Sequence, residues 1–88
     1  KNMVVMFMGF NFRFIFINLS ILGVDKNVTA MALLDIAANE NLGYSEPLIL
    51  VNEMYQKHFV KDPLNPVARH EMGHHLAGTP LVTDEVIA

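Results

Sequence analysis

The chain has 88 residues, enough for one small domain over residues 1–88 with a modest core. Its 52% hydrophobic content excludes a disordered segment, and 17% charged is low for a domain of this size. A net charge of -3 gives no electrostatic basis for binding nucleic acid or an anionic membrane, and the absence of cysteine excludes disulfides and thiolate sites. Lack of cysteine also fits a reducing, cytoplasmic setting. The start at Lys1 without Met, and the end at Ala88 in mid-pattern, point to a piece of a longer chain or a processed form.

From Lys1 to Gly23 the chain is at its most apolar. Phe10, Phe12, Phe14 and Phe16 alternate with Asn11, Arg13, Ile15 and Ile17, a period of two that predicts strand. Gly9 marks a bulge or turn, giving one long strand or a hairpin. The rival reading is a targeting or membrane segment, but Asn11, Arg13 and Asn18 divide the run into pieces too short to span. Asp25 to Gly43 reads as a helix capped by Asp25 or Asn27. Met31, Leu34, Ala38 and Leu42 fall on one stripe, Asp35, Asn39 and Glu40 form a solvated face, and Gly43 is the stop. Pro47 to Val51 reads as a short strand, with Pro47 placing it at an edge or at its own start. Asn52 to Val60 reads as irregular or extended chain, and Asp62 to Pro66 as a rigid turn. Thr83 or Asp84 can cap a last helix beginning near Glu85. The expected class is α+β.

Chemistry concentrates in Arg69-His70-Glu71-Met72-Gly73-His74-His75. Asn65 is a good N-cap, Pro66 suits the first helical position, and Gly78 followed by Pro80 is a stop, so the segment lies inside a well-bounded helix. On a helix, His70 and His74 lie one turn apart on one face and can share a Zn²⁺, with Glu71 beside them as a general base. Ala68, Met72 and Leu76 form a stripe roughly opposite, which would be the core side and would leave both histidines facing a cleft. Gly73 would let another backbone segment approach. His75 lies about 100° around the helix from His74, so a packed or solvated role is expected for it. A third protein ligand is required, and downstream Thr79, Asp84 and Glu85 are chemically suited. Glu85 is the choice, because the Gly78-Thr79-Pro80 turn can swing it back over the metal; Asp84 is the fallback.

The stretch from His70 to Ala88 resembles the gluzincin branch of the zincin metallopeptidases, particularly the very small minigluzincins. His70-Glu71-x-x-His74 matches the family's active-site helix, and Glu85-Val86-Ile87-Ala88 resembles the start of its glutamate helix, ending before the Asp that commonly follows. The resemblance implies a zincin-like domain: a short sheet on the motif helix, a backing helix and a C-terminal glutamate helix. It further implies zinc held by His70, His74 and Glu85, with Glu71 moving the proton of water in peptide hydrolysis. In that arrangement Leu48–Val51 would be the rim on which a peptide or protein substrate pairs as an added strand. Tyr55 and His58 could stabilise an oxyanion, but are expected to be surface residues.

The leading expectation is therefore a zinc metallopeptidase, active or latent. The alternative is a non-enzymatic scaffold or assembly protein of the same fold that retains zinc. The apolar N-terminal strand motivates it, because an exposed edge could pair with another copy. A third reading is a peptidase anchored in a membrane through Lys1–Gly23.

Overall fold

In the computed structural model, residues 1–78 are described. Two N-terminal strands, β1 (Asn2–Phe7) and β2 (Phe10–Ile17), form the hairpin that the alternating pattern predicts. The two turn residues, Met8 at φ 51° and Gly9 at φ 81°, both adopt the left-handed conformation of a tight type I′ connection. A 3₁₀ turn at Leu19–Leu22, capped by Asn18, leads away from the hairpin.

The predicted helix over Asp25 to Gly43 is not formed as such. Asp25 is taken up in a turn, where its carboxylate accepts the Asn27 N–H at 2.8 Å and its carbonyl accepts the Val28 N–H at 3.0 Å. The β-branched pair Val28–Thr29 then leads into β3 (Ala30–Leu33), and only Ile36–Asn41 is helical (α1). Asp35 is its cap, accepting from Ala37 and Ala38 N–H, and Gly43 at φ 81° ends it as expected. A stripe of four residues at spacings of three and four was compatible with a helix. Ala30 and Ala32, alternating inward, are equally compatible with a strand, and tertiary packing decides for the strand.

Pro47 stands at the start of β4 (Leu48–Asn52), where its carbonyl accepts the Arg13 N–H. This strand is not an edge. The sheet order is β1-β2-β4-β3, with β4 parallel to β2 on one side and antiparallel to β3 on the other. Its near-continuous apolar run fits that central position. After it, Asn52 caps a 3₁₀ turn at Glu53–Tyr55, and α2 (Gln56–Lys61) follows where irregular chain was expected. A six-residue helix that buries only Phe59 leaves too little periodicity to read. The last described element is α3 (Pro66–Ala77).

One sheet face carries the core. Val5, Phe12, Phe14, Phe16, Ala30, Ile49 and Val51 pack against Phe59 from α2 and against Ala68 and Met72 from α3. Phe59 is fully buried, its ring centroid 5.9 Å from Phe14 and 6.2 Å from Phe16. On the opposite face Leu48 and Leu50 are buried, whereas Val4 and Met6 of β1 are 47% and 66% exposed. Arg13 on that face makes a bidentate pair with Glu46, donates to Asn2 and lies under the Tyr44 ring. This ion pair ties the hairpin to the loop before β4, and the hydrogen-bonded guanidinium holds the Glu46 carboxyl below its ordinary range. No helix among the described residues is long and apolar enough to cross a membrane.

Candidate metal centre

The helix that carries the motif starts and stops where its sequence dictates. The Asn65 side chain accepts the Ala68 N–H at 2.9 Å and donates to the Asp62 carbonyl at 2.9 Å, fixing the turn before α3. Pro66 occupies the first turn, where a missing N–H costs nothing. Gly78 at φ 64° closes the other end, its N–H donating to the His74 carbonyl.

The helix is rotated from the expected orientation. Ala68 and Met72 are fully buried, as the stripe predicts, but Leu76 is exposed, and Glu71 and His74 are each only 6% exposed. His70 is exposed. The two histidines therefore do not both open onto a cleft: one faces outward and one inward. The reason lies in β3, whose small Ala30 and Ala32 let α3 approach the sheet on its Glu71 side. Glu71 Oε1 accepts the backbone N–H of Ala32 at 2.9 Å across that contact. Among the described residues, and apart from Gly73's own stretch of helix, no atom lies within 4 Å of the place a Gly73 Cβ would take, so the close approach of another backbone segment expected there is absent among them.

His70, Glu71 and His74 do come together. One candidate ligand atom from each lies within 4.8 Å of the others, and the two imidazoles meet edge to face with centroids 4.9 Å apart. That span is one that side-chain rotation can close onto a single ion, and two imidazoles with a carboxylate are a donor set suited to a divalent metal. The group could hold a metal ion. Asp84, Glu85 and Thr79, the residues expected to complete it, lie outside the described residues, as does the helix expected near Glu85.

His75 stands apart, as its angular position predicts. Its Nε2 lies 2.7 Å from the Leu48 carbonyl, the distance of a donated N–H, and its ring packs 6.0 Å from Phe12. Burial lowers its pKa, opposed by that hydrogen bond and reinforced slightly by His74. A cavity of about 680 Å³ lies between this histidine and α1, with Leu33, Ile36, Asn39, Tyr44 and Pro47 among its walls. Asn39 is not part of a solvated face: its side-chain amide donates to the Tyr44 and Glu46 carbonyls and so shapes this cavity. Exposed His58 lies on α2 beside Phe59, and Tyr55 borders a separate recess with Asn18 and Asn52.

Two features were missed by the sequence reading. The strand β3, not Leu48–Val51, presents the sheet edge beside the His/Glu/His group, because β4 is paired on both sides. The Ala32 amide is the second: a backbone group has no signature of its own, and only the Ala30-x-Ala32 alternation could have indicated it. Comparison of the chain with protein-family models, with curated proteins and with solved structures finds no match.

Proposed function

We propose that the chain is a zinc-dependent metallopeptidase of the zincin type, gluzincin branch, acting on a peptide or protein substrate. The observation that carries this reading is the convergence of His70, Glu71 and His74 on one turn of α3, beside the β3 edge. His70 and His74 would hold the ion together with Glu85, or Asp84 in its place. When bound, the ion supplies Lewis acidity, lowering the pKa of water and polarising a carbonyl. Glu71 is positioned by the Ala32 N–H on Oε1, which fixes the carboxylate beside the imidazoles, where it takes a proton from water and returns it to the leaving amine. The cavity beside His75 would take an apolar side chain of the substrate.

A second reading has its own support. The bond from Ala32 makes Glu71 part of the packing between α3 and the sheet, so the same residues serve a non-enzymatic protein that keeps a metal for stability. Metal content of the purified chain by mass spectrometry, alongside cleavage of a generic peptide library, separates the two. The peptidase reading expects one zinc per chain, lost in His74→Ala and kept in Glu71→Ala, with turnover abolished in both. Zinc without turnover in the parent chain favours the scaffold reading or a latent peptidase over an active one, and no zinc at all removes both readings.

A further inference from the structure

The two outer strands of the sheet are treated differently. The β3 edge is guarded, with α3 packed beside it and Glu71 on the Ala32 N–H. Among the described residues, nothing pairs with the outer edge of β1. Strand edges are ordinarily blunted by charge, proline, a bulge or shortness. From Asn2 to Phe12 there is no charged residue and no proline, and the β1–β2 register runs without a bulge from Asn2↔Ile15 to Phe7↔Phe10.

The register also fixes which groups point outward. The Phe16 N–H donates to the Lys1 carbonyl, so antiparallel alternation turns residues 1, 3, 5 and 7 toward β2. Asn2, Val4 and Met6 are left with N–H and C=O groups aimed away from the sheet. Their side chains share the face opposite the core, where Val4 and Met6 are exposed and Ile15 and Ile17 are half-buried beside them.

We propose that this edge is a homodimer interface in which β1 pairs antiparallel with β1 of a second copy about a two-fold axis, joining two four-stranded sheets into one of eight. The register that pairs every outward group places Val4 opposite Val4 and Asn2 opposite Met6, in both directions. A second copy is the occupant because the edge is self-complementary under this operation. Six neutral residues meet six neutral residues; Lys1 falls at opposite ends of the paired ribbon, opposite Phe7, and Arg13, across from Val4 on β2, is neutralised by its ion pair with Glu46. An uncharged edge offers nothing for a different charged partner to read, but meets no repulsion from itself. Strand pairing alone is small against the roughly 1,200 Å² of a standard stable interface, so the dimer is a concentration-dependent one supported by the apolar Val4 and Met6 side chains.

The test is sedimentation equilibrium of the full chain across a range from low micromolar to several hundred micromolar, on the parent and two variants. Val4→Lys sets two ammonium groups opposite each other at the axis. Met6→Pro removes an N–H that the β1–β2 ladder does not use, so the hairpin keeps its bonds while the outer edge loses one. The expected result is a dimer in the parent and a dissociation constant raised at least about tenfold in both variants, with unchanged far-ultraviolet circular dichroism. A parent chain that stays monomeric throughout overturns the proposal. So does a dimer indifferent to both substitutions, which would place the interface elsewhere, or an open-ended series of larger species, which a closed two-fold interface cannot produce.

Discussion

Glu71 joins two requirements in one side chain. As a motif residue it belongs beside the imidazoles; as a buried residue it satisfies the Ala32 amide on the sheet edge. Removing the carboxylate leaves a backbone donor in the protein interior without that acceptor, a loss on the order of 1–3 kcal/mol. Glu71→Gln keeps an oxygen at nearly the same place and is expected to retain most of the stability, whereas Glu71→Ala is expected to lose about 1–3 kcal/mol in urea denaturation of the metal-free protein. Equal stability of the Ala and Gln variants would show that the 2.9 Å bond contributes nothing net. The pair also separates chemistry from structure, since neither Gln nor Ala can take up a proton as a base. A turnover defect in Glu71→Gln without a stability defect assigns the proton role directly.

At the scale of elements, what was legible in the sequence was whatever carries its own local signal. The Phe10-x-Phe12-x-Phe14-x-Phe16 alternation gave β2, with Phe12, Phe14 and Phe16 buried, and the caps Asn65 and Gly78 bounded α3. What was not legible depended on partners distant in sequence. Whether residues 25–43 form helix or strand turned on whether α3 would press against Ala30 and Ala32. Whether β4 is an edge turned on β2 and β3 closing both of its sides. The rotation of α3 that buries His74 was hidden likewise, because a buried Glu71 has no hydrophobic signature. The candidate site itself was legible as a trio, but its setting on the β3 edge was not. Gly73 gives this element a direct test. It lies inside α3 with open space where a Cβ would stand, so the helix bears the flexibility of glycine without a packing reason. Gly73→Ala is expected to stabilise the metal-free chain by about 0.5–1 kcal/mol, read as a higher denaturation midpoint at unchanged slope. Destabilisation would mean that some segment of the chain does approach that face.

For the molecule as a whole, a bound ion would act on folding as well as on chemistry. Its donors are gathered only when α3 is formed and docked, so an ion that binds the native chain and not the unfolded one shifts the folding equilibrium by mass action. At a free zinc concentration about a hundred times the dissociation constant, the expected gain is about 2.7 kcal/mol. His70 is the residue on which to measure it. It is exposed, so His70→Ala is expected to leave metal-free stability within about 0.5 kcal/mol of the parent. His74 is buried, so its replacement disturbs packing and is the less clean test of metal binding. The parent chain should therefore become more stable as zinc is added, while His70→Ala, equally stable without zinc, should not respond. The same titration followed by hydrogen exchange should show added protection along α3 and at the Ala32 amide, because Glu71 couples the helix carrying His70 and His74 to the edge of the sheet. If His70→Ala gains as much from zinc as the parent does, the ion is held elsewhere, and the trio on α3 is a packing arrangement that happens to carry a metal motif.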